Sequence, residues 1–253
     1  MSLGYRIIIL LIVSFIGTSA TAQGMGQLSM PALTMSELDS GQTTYSLSLQ
    51  ILLLMTALTV LPSLVLGMTA FTRIIIVLSI LRQALGTQQT PPNQVLIAVA
   101  LFLSFFIMAP VFEVLYSDAI SPYLDGNIQL ERALNDGIGL LKEFMVTNTR
   151  SDTLNLFVDL SKSGPFEGNK SVPLNIVLPA FITSELKTAF EIGFLIFLPF
   201  LVIDMVIASI LMSLGMMMLS PMLISLPFKL LLFVLVDGWA MTIGSLSATF
   251  LVS

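Results

Sequence analysis

From Leu186 to Val252 the chain is almost unbroken hydrocarbon, and it doubles back around Leu214-Gly-Met-Met-Met-Leu-Ser-Pro221. Lys187 and Glu191 stand at the start of this block, and only Asp204, Lys229 and Asp237 interrupt it further on. Two apolar helices joined by such a turn must be covered by lipid or by protein. Asp204 and Lys229 lie at nearly equal distances on either side of Met217, so opposite charges fall at matching depth in adjacent helices. Lone charges in a low-dielectric setting are costly and occur paired, facing protein or water. The spacing predicts an Asp204–Lys229 pair, within one hairpin or between neighbouring subunits.

The other charges of the block have simpler readings beside that one. Lys229 is near a helix end and close enough to snorkel to an interface. Asp237 precedes Gly238-Trp239, which suits a helix terminus with Trp239 as an interface anchor. Glu191 follows Thr188 by one turn and suits a first-turn acid. Asp204, in the middle of Phe200-Leu-Val-Ile-Asp-Met-Val-Ile207, has no such alternative. Met216, Met217 and Met218 occupy a turn, where polar residues are expected. A chance run in a chain of 15 methionines is the bland account. Placed between spans, flexible thioethers offer a soft apolar surface able to close around a moving chain. Gly215 before them and Ser220-Pro221 after them supply the backbone freedom and the stop.

Only 10% of the 253 residues are charged while 56% are hydrophobic, and the mean hydropathy is +0.98. A soluble chain carries about 25% charge, so a polytopic membrane protein is the economical reading. With a net charge of −5 and no basic patch, nucleic acid is not an expected partner. The chain has neither cysteine nor histidine, which removes disulfides, thiolate metal sites and the usual general base.

Met1 to Ala22 reads as a cleavable signal peptide, with Arg6, the apolar run Ile7–Ile16 and Ala20-Thr-Ala22 as its three parts. An uncleaved short anchor is the alternative. Residues 23–45 then form a polar, mobile leader. A hairpin region follows over 46–116, with spans at Ser46–Leu66 and Val95–Tyr116, the second kinked at Pro110. Between them lie the short run Arg73–Arg82 and the loop Thr87–Gln94, where two prolines and several amides stop a helix. Residues 117–185 are expected to be extracytoplasmic and helical, because Leu130, Leu134, Ile138, Leu141 and Met145 recur at helical spacing, as do Leu154, Phe157 and Leu160. Asp152 is the expected N-cap of the second run. That segment is either a plain connector or a docking layer for sister subunits. Residues 186–253 are the Met-tipped hairpin, with spans at Thr188–Ser213, kinked at Pro199, and Pro221–Phe250, bent near Pro227. Arg73 and Arg82 place the first loop in the cytoplasm, while Ser117–Lys187, with nine acidic and six basic residues, fits the outer side.

No phosphate loop, nucleophile elbow or zinc-protease motif is present. Glu191 and Asp204 would lie ~20 Å apart along one helix, too far for paired acid–base work. The chain is therefore not expected to be an enzyme, nor to need a cofactor or metal.

Pro179-Ala-Phe-Ile-Thr-Ser-Glu-Leu-Lys-Thr-Ala-Phe-Glu-Ile-Gly-Phe194, Leu198–Val206 and Ile207–Met218 resemble the signature stretches of the FliP/SctR family, export-gate membrane proteins of the bacterial flagellum. Leu85–Gln94 and Lys229–Trp239 are similar to the same family, and the resemblance runs from about Ser46 to Val252. It implies an all-α membrane protein whose kinked helical hairpins assemble into a ring-like export gate, with a helical extracytoplasmic segment. It implies a homo-oligomer, a pentamer in that family, joined by FliQ and FliR, with FlhA and FlhB beside it and unfolded flagellar subunits passing through. It places the protein in the bacterial inner membrane, at the flagellar basal body. Carried onto this chain, Met216, Met217 and Met218 correspond to a pore gasket. Asp204, Lys229, Glu185, Glu191 and Asp237 become candidates for buried-charge or inter-subunit contacts. A small transporter or ion channel, with Asp204 and Glu191 carrying protons, is the competing class, and the virulence-secretion homologue is a third reading. Transporters of that kind usually show internal repeats, and none is visible here.

Overall fold

The computed structural model describes residues 47–87, 89–162, 166, 168, 171–216 and 218–251. The signal peptide and leader expected over 1–45 lie outside these residues, as do Met217 and most of the turn-rich stretch at 164–169. The chain divides into two units, 1–57 and 58–253. Among the described residues there are helices and no strand. They are α1 Leu47–Gly67, α2 Phe71–Ala84, α3 Asn93–Leu115, α4 Ser121–Leu124, α5 Leu130–Asn148, α6 Ser151–Ser161, α7 Leu174–Ser213, α8 Pro221–Leu235 and α9 Gly238–Leu251. The all-α membrane class is thus borne out. Two helices are long and apolar enough to cross a membrane, or up to four if each bent pair counts as one span.

The second unit is built around α2. Its apolar residues Ile74, Val77, Leu78 and Leu81 recur at helical spacing and are all buried. Ile74, Val77 and Leu78 meet Leu96, Ala100 and Ile107 of α3, Ala189 of α7 and Leu246 and Phe250 of α9. The contact with α7 depends on a missing side chain. A Cβ at Gly193 would come within 2.4 Å of Ile80 Cδ1 and 3.0 Å of its Cγ2. A second cluster joins Met145 and Val146 of α5 to Ile176, Val177 and Phe181 near the start of α7, with Leu154 and Phe157 of α6 packed against it. Burying Phe181 fully contributes roughly 1.5–3 kcal/mol.

Several expected boundaries move. The second span does not end at Tyr116: a π-helical turn, Tyr116–Ile120, carries the chain directly into α4. The third span begins at Leu174 and runs for 40 residues without a break at Glu185 or Leu186. Pro179 and Pro199 both lie inside it. Asp152 is not the N-cap of α6. That position belongs to Arg150, whose backbone is extended, and Asp152 sits in the first turn. The bend expected at Pro227 is also misplaced, since Pro227 lies within α8. The chain breaks instead at Val236-Asp237, turning by 63° between α8 and α9. Asp237 has a left-handed φ of 49°, and Gly238 follows where a Cβ would overlap the Phe233 ring at 2.2 Å. A bulky residue at 238 would expel Phe233, so the bend is fixed there rather than at the proline.

Candidate functional site

Arg73, in the first turn of α2, is buried, and so is its partner Glu185 on α7. Its Nε donates to Glu185 Oε2 at 2.9 Å, and its Nη2 donates to the other carboxylate oxygen. Nη1 donates to Thr249 Oγ1 at 2.9 Å, and the guanidinium carbon lies 3.8 Å from the centroid of the Phe250 ring. The planar fork of arginine matches a carboxylate in this two-pronged way and stacks on an aromatic face, so three helices are tied at one point. Arg73 is therefore no solvated loop charge, and the positive-inside count loses it.

Just along α7, an exposed set of charges fastens the start of α6. Lys187 Nζ donates to Asp152 Oδ2 at 2.9 Å, and Arg150 Nη1 to Glu191 Oε2 at 2.7 Å. Arg150 N–H donates to the buried Ser184 Oγ at 3.0 Å. The Lys187 hydrogen bond, with that from the Thr153 amide, holds the Asp152 carboxyl below the usual carboxylate range. Glu191 lies far from the first turn of α7, so it is not a first-turn acid. It belongs to this wet clasp.

The lower polar node joins α7, α8 and the end of α2. Lys229 Nζ donates to Asp204 Oδ2 at 2.6 Å and to the Ala84 carbonyl at 3.1 Å. Ser225 Oγ donates to Asp204 Oδ1 at 2.6 Å. Lys229 is 3% exposed and Asp204 35%. Ser225 is one turn before Lys229, which puts both on the face of α8 that meets α7. The predicted partners thus meet within a single chain.

The turn beyond this node is closed by its own backbone. Gly215 has φ +73°, its N–H donates to the Met212 carbonyl, and the Met216 N–H donates to the Leu211 carbonyl at 2.9 Å. These two bonds form a Schellman closure, which needs a left-handed residue at Gly215. Around it Leu214, Met216, Leu219 and Met222 are exposed, and Met218 is fully so. Asp237 is exposed at the α8–α9 break, and its carbonyl accepts from the Met241 N–H. Trp239 packs edge-on against Phe233, with centroids 5.4 Å apart.

Among the described residues no group of three or more acids could hold a metal ion, and no buried side-chain polar atom lacks a partner. Sequence reasoning missed Arg73, Ser225 and Thr249 as members of the nodes. The signal for Arg73 was available: it is a charge inside the apolar run Phe71–Leu81, the criterion that singled out Asp204.

The FliP family model matches residues 54–246. The flagellar biosynthetic protein FliP of Cereibacter sphaeroides is 68% identical over 220 residues, covering 87% of this chain and 73% of its own. Proteins of the same name from Pectobacterium carotovorum and Bacillus subtilis are 52% and 54% identical, over 87% and 81% of this chain and 86% and 93% of theirs. With the family model spanning most of the described helices, this chain belongs to the FliP family.

Proposed function

We propose that this protein is a non-enzymatic core subunit of the flagellar type III protein export gate. Sister copies, FliQ and FliR assemble with it into the channel, with FlhA and FlhB adjacent, in the bacterial inner membrane at the flagellar basal body. Family membership supports the flagellar role, and the hairpin tip is the observation that carries the channel reading. An exposed turn of Leu214, Met216, Met218 and Leu219 is held on two helices locked by a partly buried ion pair. Such a surface suits the inner lip of a ring, where Met216, Met217 and Met218 from several copies close on each other and yield to an unfolded chain. The expected ring is a pentamer.

The ion pairs refine the interface reading. Asp204, Lys229, Glu185 and Glu191 each bond within one chain. Asp237, exposed and in a strained backbone position, is the remaining candidate of the five for a contact between copies. The exposed stripe Leu130, Leu134 and Ile138 of α5 suits a docking layer for neighbouring copies. Reconstitution tests the whole: the chain with FliQ and FliR forms a sealed complex, and Met216→Ala, Met217→Ala and Met218→Ala together make it leak small solutes. Robust ion or solute flux through the chain alone would refute the gate reading, and a triple variant as tight as its parent would refute the seal.

A further inference from the structure

Lys229 takes part in two contacts of different kinds. One is the ion pair with Asp204; the other is a hydrogen bond to the carbonyl of Ala84, the last residue of α2. Carbonyls at a helix C-terminus lack intrahelical donors and carry the negative end of the dipole, so an ammonium is a fitting cap. The loop that follows Ala84 is fastened on both sides of this point. Leu85 is buried against the cluster of Phe200 and Phe233, and Gly86, at φ +78°, leaves room where a Cβ would lie 3.5 Å from Leu226 and 3.9 Å from Lys229 Nζ. At its far end Arg82 Nη1 donates to Asn93 Oδ1 at 2.6 Å and to the Pro91 carbonyl at 3.3 Å.

On the hairpin side, Asp204 and Lys229 continue without interruption into the helical ends Ser213 and Pro221 that hold the Met-bearing turn. Each arm is ~12–14 Å of continuous helix, the α8 arm containing Pro227. Ser225, fully buried, donates to the second oxygen of the Asp204 carboxylate and so holds it from the side opposite Lys229. We propose that Lys229 is the joint through which the start of the loop, Leu85 to Thr87, and the turn residues Met216, Met218 and Leu219 move as one body. A displacement of the loop passes through the Ala84 carbonyl, the ammonium and Asp204 into both arms. The coupling rests on this geometry alone and stands whatever passes the turn.

Amide hydrogen exchange on the full-length chain in lipid tests it. Gly86→Ala strains the loop directly, because alanine is disfavoured at that φ, while its methyl would stand only at ordinary contact distance from Leu226 and Lys229 Nζ. It is expected to accelerate exchange of the Met216 and Leu219 amides about tenfold, leaving the Leu154 amide of α6 unchanged. In a Lys229→Met background the turn already exchanges fast, and Gly86→Ala adds nothing. Unchanged turn amides in Gly86→Ala, the same acceleration in both backgrounds, or a rise that includes Leu154 would each overturn the proposal. The first and last of these need only Gly86→Ala, so they hold if Lys229→Met does not fold; Asp204→Asn then serves as the second background.

Discussion

Replacing Glu185 by methionine should be among the most damaging single changes available in this protein. The substitution keeps the volume and the apolar stem but strands the Arg73 guanidinium, which is 4% exposed and draws two of its bonds from that carboxylate. What remains to it is the Thr249 hydroxyl and the face of Phe250. Removing one partner of a buried pair costs ~3–5 kcal/mol, which is about two to three and a half orders of magnitude in the folding equilibrium. Arg73→Met should cost a similar amount by stranding the carboxylate. The double variant behaves differently. Thr249 keeps its bond to the Leu246 carbonyl at 2.7 Å, and Phe250 keeps its stacking on Phe144, so nothing polar is orphaned. Its cost should fall to ~1–2 kcal/mol, a coupling of at least about 4 kcal/mol between the two sites. The measurement is unfolding of the full-length chain in mixed micelles, followed by helix content, for the parent and three variants. A double variant whose loss equals the sum of the singles would show that the pair does not hold these helices together.

The lower node leads to a sharper expectation. Asp204→Lys with Lys229→Asp should not restore a protein damaged by either change, because an acid at 229 would face the Ala84 carbonyl and the Ser225 hydroxyl would lose its carboxylate; recovery of parental thermal stability by the swap would refute this. Asp204→Asn alone should cost about 2 kcal/mol, less than the Arg73 changes, since Asp204 is one-third open to its surroundings. Gly193→Ala should destabilise by ~1–3 kcal/mol through overlap with Ile80, and Ile80→Val, which deletes the Cδ1 atom, should recover part of that in the same melt. Asp152 predicts a pH effect: its folded pKa lies below the unfolded value, so the contact to Lys187 is present at neutral pH and lost as pH falls below about 4. Exchange of the Leu154 amide should rise across that window in the parent and show no such step in Asp152→Asn.

The apolar runs and their turns were legible because length and hydrophobicity alone decide them: α1, the body of α3 and the C-terminal part of α7 fall where the composition puts them. Asp204 and Lys229 were legible as partners from their symmetric placement about the turn. Glu185 was not, since it is one acid in the mixed stretch Ser184-Glu-Leu-Lys187, and only the fold reveals that its side chain faces α2 while Lys187 faces α6. Arg73 was misread because a charge beside the short break at Gly67–Thr72 looks like loop. Hydropathy also gave no reason to join residues 174–187 to the span after them, as the bonds of Ser184, Glu185 and Lys187 to other helices are visible only in the fold. Pro227 against Asp237 shows the same limit. A proline marks a possible bend, but packing of Phe233 over Gly238 decides where the bend occurs.

The closed backbone at Gly215 has a consequence for anything drawn past the turn. The amides of Leu214, Gly215, Met216 and Leu219 are each already bonded to a carbonyl of the same hairpin. In the proposed gate an extended polypeptide would find at these positions no vacant donor with which to begin a β-ladder, only thioether and leucine side chains. A surface of that kind grips by shape and lets go without a sequence-dependent toll, so friction there would depend on the bulk of the passing side chains and hardly at all on their order.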